Sequence, residues 1–279
     1  MEAERAARVL RQFLETDRLM GVESVPLRRP AAGVALPAAA REDSAPSAPP
    51  LAPAAARAGR SNPPPPPPPA AAAWDLGGGT PAEKLAALAA ALAEDPDLAE
   101  RLRGQPPVLG SGGLPARVLF VNEPPASGAE ADEAAKLLDG MVNAMKLASG
   151  DVFRCPCLPF KPAGGGHPSP AELAAGAGAL QAQLRLAAPE VVVAMGGAAA
   201  KALLGEVPGI TRLRGVWTSC GWTDPPVPVM PTLSPAFVLR SYTRDNRMMV
   251  WEDLKRVMEK LEDAAEAQQV DGGTGGRAR

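Results

Sequence analysis

Five consecutive apolar residues, Val191-Val192-Val193-Ala194-Met195, run directly into Gly196-Gly197 and then into small and apolar residues as far as Leu204. The run is too short for a helix and lacks the alternation of a half-exposed strand. It suits a strand buried on both faces, as in a parallel sheet with helices on each side. The two glycines break the strand, and Ala198 to Leu204 supply a helix that packs closely behind it. A second apolar stretch, Val227 to Pro231, ends at Thr232-Leu233-Ser234-Pro235. There Ser234 reads as a helix N-cap and Pro235 fits the first helical turn. In open α/β sheets ligands bind at the carboxyl ends of the strands, so both turns are expected to face one crevice.

The rest of the chain completes that sheet or hangs from it. Its 33 prolines and 28 glycines crowd into the first 115 residues and the tail, so the folded core is expected to span ~150 to 170 of the 279 residues. Five segments are expected: an N-terminal helix (1–27), an Ala/Pro-rich linker (28–79), a helical hairpin (80–104), an α/β domain (115–266) and a Gly-rich tail (267–279). The linker includes seven consecutive prolines, Pro63 to Pro69, a composition that favours extended backbone over a packed core. It could tether a polyproline-binding protein partner. Thr80-Pro81-Ala82-Glu83 and Ser169-Pro170-Ala171-Glu172 are capping boxes with proline at the first helical position.

Within the α/β region, strands are expected at Val118–Val121 and Asp151–Cys155 as well as at the two stretches above. Helices are expected over about 129–147, 170–187 and 244–268. Strands alternate with helices, which predicts a doubly wound parallel sheet of four strands. A net charge of −2 advertises no global affinity for nucleic acid. Three cysteines, Cys155, Cys157 and Cys220, give neither a disulfide framework nor paired metal-ligand spacing. No signal peptide or membrane span is read, so a cytoplasmic, monomeric protein without membrane contact is expected.

LLDGM, PEVVVAMGGAAAKALL, GITRLRGVW, VPVMPTLSPAFVLR and NRMMVWEDLKRVM follow one another in the order and spacing of the uracil-DNA glycosylase superfamily. The chain most resembles its bacterial iron–sulfur branch, the family-4-like enzymes, over about Arg117 to Leu261. The resemblance implies a three-layer α/β/α sandwich around a four-stranded parallel sheet. It also implies hydrolysis of the N-glycosidic bond of a uracil flipped out of DNA. That chemistry needs a carboxylate near the sugar and donors at the departing base oxygen.

Against the family's pattern, the Gly-Glu-Ala-Pro-Gly turn reads Asn122-Glu123-Pro124-Pro125-Ala126, keeping the glutamate and losing both glycines. The stacking aromatic has no counterpart, the base-reading asparagine falls on or near Pro156, and the histidine of the last turn is Ser234. Cluster cysteines fall on Gly176 and about Phe160, and the N-terminal pair is absent, so no iron–sulfur cluster, other cofactor or metal is expected.

The resemblance makes Glu123 a water-positioning carboxylate and Ser234 a donor, with Asn122, Pro124, Pro156, Gly196 and Gly197 lining the pocket. Read from the residues alone, Glu123 is a turn residue, Ser234 a helix cap, and Gly196-Gly197 a close-packing device. Arg212, Arg214, Arg240 and Arg244 resemble positions near DNA, and each also reads as a solvated surface charge. Trp217, Trp222 and Trp251 read as packing residues, and His167 as an exposed loop residue. The expected function is a uracil-DNA glycosylase-like protein of base-excision repair with weak or lost excision. The alternative is a non-catalytic DNA-binding or protein-scaffold module on the same fold.

Overall fold

The computed structural model describes residue 74, residues 76–164 and residues 167–273, with side chains through residue 266. The N-terminal helix, the proline run, most of the 28–79 linker and the end of the tail lie outside the described residues.

The expected parallel sheet forms from β2 (Val118–Asn122), β3 (Val152–Pro156), β4 (Val191–Met195) and β6 (Val227–Thr232). These four run parallel in the spatial order β3-β2-β4-β6. The expectation of four strands is corrected at both edges. β1 (Ser111–Gly112) pairs antiparallel with β3, and β5 (Thr218–Cys220) pairs antiparallel with β6, so the sheet is six-stranded and mixed. Strands of two and three residues carry no readable periodicity, and short edge strands limit the unpaired backbone presented to other chains.

The inner strands are hydrophobic on both faces because both faces are covered. Leu119 and Val121 of β2, with Val192 and Ala194 of β4, enter one buried cluster. Val118 and Phe120, with Val191, Val193 and Met195, enter the other. The first cluster is closed by α1 (Pro81–Glu94), α2 (Pro96–Leu102), α4 (Pro170–Ala187) and α5 (Gly197–Leu204). The second is closed by α3 (Ala129–Ala144), α7 (Pro235–Arg240) and α8 (Arg244–Gly273). A short helix, α6 (Ile210–Leu213), lies between α5 and β5. The result is an α/β/α sandwich.

Both capping boxes form. Thr80 Oγ1 accepts from Glu83 N while Glu83 accepts from Thr80 N, and Ser169 and Glu172 repeat the exchange. The α1–α2 hairpin contributes Leu88, Leu92, Leu98 and Leu102 directly to the main core.

The strand order places the site. From β2 the chain crosses to β3 on one side, and it returns to β4 on the other. The loop leaving β2 leads to α3 on one face of the sheet, and the loop leaving β4 leads to α5 on the opposite face. These loops diverge at a topological switch point, the place at the carboxyl ends of the strands where open α/β sheets bind ligands.

Candidate functional site

Three strand ends meet at this switch point. β2 ends at Asn122, followed by Glu123 and Pro124; β4 ends before Gly196; β6 ends before Leu233 and Ser234. Gly196 is the point at which they meet. Its φ is +96°, and a Cβ built there would stand 2.7 Å from Glu123 Oε1, 3.0 Å from Glu123 Cγ and 3.0 Å from Ser234 Cβ. Only glycine allows this left-handed backbone without strain while leaving room for both neighbours. Its N–H donates to Thr232 O at 2.9 Å, which ties the tip of β4 to that of β6. Gly197, by contrast, begins α5 with open space around its Cα.

Ser234 is 3 % exposed and caps α7, its Oγ accepting from Phe237 N at 3.2 Å. Ser234 is therefore a helix cap, as the residues alone predict, and its Cβ packs against Gly196 at the strand tips. Glu123 is half-buried and makes no hydrogen bond or ion pair among the described residues. Pro156 closes β3 in register with Asn122, and Cys157 N donates to Asn122 O at 2.9 Å. Thus Asn122, Glu123, Pro124, Pro156, Gly196 and Ser234 lie at the carboxyl ends of the parallel strands, with Gly197 one step behind.

The four arginines divide. Arg212 is exposed on α6, and Arg244 is exposed at the start of α8. Arg240, at the end of α7, pairs with Glu130 of α3 at 3.1 Å, both side chains being more than half exposed. Arg214 is committed inward. Its guanidinium donates to Asp253 at 3.1 and 2.7 Å and to the Met249 carbonyl.

Asp253 is completely buried and also accepts from Thr232 Oγ1 at 2.7 Å. Burial pushes its carboxyl up, while the Thr232 hydroxyl and the Arg214 charge pull it back. This network fastens α8 and the α6 turn to the end of β6, two residues before Ser234. The sequence reading missed it. The signal was a carboxylate on the inward face of α8, between Val250 and Leu254. Also missed was Arg247, 6 % exposed, whose guanidinium lies 4.5 Å from the Tyr242 ring centroid and donates to its hydroxyl at 3.1 Å.

Trp222 is buried in the first cluster, while Trp217 and Trp251 pack against the second. Lys260 lies 5.3 Å from the Trp217 ring centroid. His167 is exposed. A separate cavity of about 350 Å³ lies between Trp74, Leu76, Gly77 and α4 and contains none of the predicted site residues.

The cysteines do not fit a four-thiolate cluster. Cys155 and Cys220 belong to β3 and β5, with β2, β4 and β6 between them, so about 19 Å separates their strands at ~4.8 Å per step. Burial pushes the Cys155 and Cys157 thiols up. It raises Cys220 to about 11. Gly176 on α4 packs on Leu158, whose Cδ2 would stand 2.4 Å from an added Cβ. Phe160 is buried in the same cluster as Leu158, with the Arg101 guanidinium 5.8 Å from its ring centroid.

Among the described residues no helix is long and apolar enough to cross a membrane.

Comparison with known proteins shows the family. The sequence profile described as the uracil DNA glycosylase superfamily matches residues 109–255, just over half of the chain. The type-4 uracil-DNA glycosylase of Thermotoga maritima is 31% identical over 158 residues, which are 53% of this chain and 80% of that protein. The shared region holds the four parallel strands, the loops of the crevice and most of the helices that cover the sheet, and on that match the chain belongs to the uracil DNA glycosylase superfamily.

Proposed function

We propose that this protein binds DNA and takes a single base into the crevice between Glu123, Gly196 and Ser234, as a base-excision-repair protein whose uracil excision is weak or lost. The observation that carries the reading is the convergence at Gly196, with a carboxylate and a hydroxyl-bearing side chain each within 3.0 Å of one point. An unpaired Glu123 can orient water toward the sugar carbon and offset positive charge as the glycosidic bond breaks. The bonding pair leaves with the base, and negative charge collects on its carbonyl oxygen. Ser234 accepts from Phe237 N, so its O–H is left to donate there.

The departures from the family pattern support weak chemistry. Ser234 stands where the family has histidine and offers a short, neutral donor. Pro156 stands where the family has a base-reading asparagine, and Asn122 and Ala126 replace two glycines. Losing a single such donor costs ~100 to 1,000-fold in rate. The cluster cysteines of the family-4-like enzymes are replaced by Gly176 and Phe160, whose packing supports the loop after β3 without iron. Arg212, Arg240 and Arg244 are the proposed phosphate contacts, and Arg214 acts through Asp253. The bond that makes Ser234 a cap also favours the alternative, a DNA-binding module without catalysis.

The test is single-turnover excision. A duplex with one uracil is mixed with excess protein, and abasic product is followed beside an active family member. A rate lower by ~100-fold or more, and lower still for Glu123→Gln, supports the first reading. No product with DNA binding intact supports the alternative. Rapid excision, or a rate indifferent to Glu123→Gln, overturns the assignment.

A further inference from the structure

Asn122 carries a buried polar atom that nothing in the fold uses. Its Oδ1 is sealed and accepts no hydrogen bond, although the residue as a whole is only half-buried. A buried oxygen left unpaired is destabilising and needs an explanation. The donors around it are spent or missing. Cys157 N–H goes to the main-chain oxygen of Asn122, and Gly196 N–H goes to Thr232 O. Pro156, the register partner of Asn122 on β3, has no N–H and no polar side chain. An ionised Glu123 offers only acceptors.

We propose that Asn122 is the specificity residue of the crevice, pairing its carboxamide with the N–H/C=O edge of a planar lactam ring. Oδ1 takes the ring N–H, and Nδ2 gives a hydrogen bond to the adjacent ring carbonyl. Two observations carry this: the unpaired oxygen, and the pairing of Asn122 with Pro156. The resemblance implies an amide at Pro156 that this chain lacks. The structure supplies one on the neighbouring strand, about 4.8 Å away. Glu123, the next residue, is held by no hydrogen bond among the described residues, and the proposal requires local movement at this strand end for a ring to reach the sealed Oδ1. The inference rests on the base-binding reading above and names the residue that does the reading.

The test compares wild type with Asn122→Leu, nearly isosteric, and Asn122→Ala, in two measurements. Calorimetric titration with free uracil and 3-methyluracil asks whether the ring N–H is read. Wild type is expected to prefer uracil by ~10-fold or more, and both variants to lose the preference. Thermal denaturation without ligand asks whether the amide serves the fold. Asn122→Leu is expected to melt higher by about 2 °C or more, because a buried unpaired oxygen is gone. A lower melting temperature for Asn122→Leu, or a uracil preference that survives in both variants, overturns the assignment. If wild type prefers hypoxanthine to uracil and the preference depends on Asn122, the assignment stands and the uracil reading fails. Binding of none of these rings at millimolar concentration overturns the Asn122 assignment, leaving the excision assay to judge the rest.

Discussion

Replacing Asp253 by alanine tests how the crevice is held. Asp253 is 0 % exposed, and the Arg214 side chain is 17 % exposed. Three hydrogen bonds, two from Arg214 and one from Thr232, converge on the carboxylate. The alanine variant leaves a mostly buried guanidinium without its counter-charge and a fully buried Thr232 hydroxyl without its acceptor. Breaking a buried pair from one side costs about 3–5 kcal/mol. For a folded unit of this size each kcal/mol lowers the melting temperature by about 2–4 °C, so the expected fall is about 6–20 °C. Scanning calorimetry measures it directly. The same physics predicts that removing every polar partner is milder than removing one. Arg214→Met, Thr232→Val and Asp253→Leu together leave no buried charge or hydroxyl behind, and the triple variant is expected to recover most of the loss. A fall of less than about 3 °C for Asp253→Ala, or a triple variant no better than the single, refutes the reasoning.

Other expectations follow from the same geometry. Gly196→Ala forces a side chain into left-handed backbone and against Glu123 and Ser234, and is expected to cost about 1–3 kcal/mol. Gly197→Ala meets open space and is expected to be neutral or slightly stabilising, so equal melting curves for the two would contradict the account. Hydrogen bonds from Ser169 N, Ala163 N and the Ser169 hydroxyl hold the Glu172 carboxyl below its usual range. A depressed folded pKa contributes stability that is present above the unfolded value, about 4.3, and lost as pH falls through the folded value. The stability advantage of wild type over Glu172→Gln should therefore shrink in acid, and a gap constant from pH ~3 to ~7 would refute it. Arg240→Ala and Arg244→Ala should each flatten the salt dependence of duplex binding by roughly 0.9 in log–log slope. Arg214→Ala should instead lower the melting temperature and leave that slope unchanged.

Much of the scaffold is legible in the sequence because its signals are local. The Val191–Met195 run and the stripe Val250, Leu254, Val257, Leu261 report burial directly, the two capping boxes report helix starts, and all became the elements expected. The edge strands were not legible. Ser111–Gly112 lies in a Gly/Pro-rich segment, and Thr218–Cys220 is too short to show alternation. The site was legible in part, since strand ends predict where a crevice lies, and Glu123, Gly196 and Ser234 meet there. What could not be read is which polar groups satisfy one another across long sequence distances. Arg214 looks like a surface charge until Asp253, thirty-nine residues on, is seen beneath it. Asn122 looks like an altered turn residue until its oxygen is found without a partner.

The central claim is that a base is held at Glu123, Gly196 and Ser234. The most direct measurement is a backbone NMR titration with a duplex carrying one 2′-fluoro-2′-deoxyuridine, a substituent that slows glycosidic cleavage and so separates binding from chemistry. The account predicts the largest amide shifts at Asn122, Glu123, Gly196, Gly197, Ser234, Ala236 and Phe237, with none of comparable size beside Trp74. Shifts confined to another surface, or identical shifts with an unmodified thymidine duplex, would contradict it.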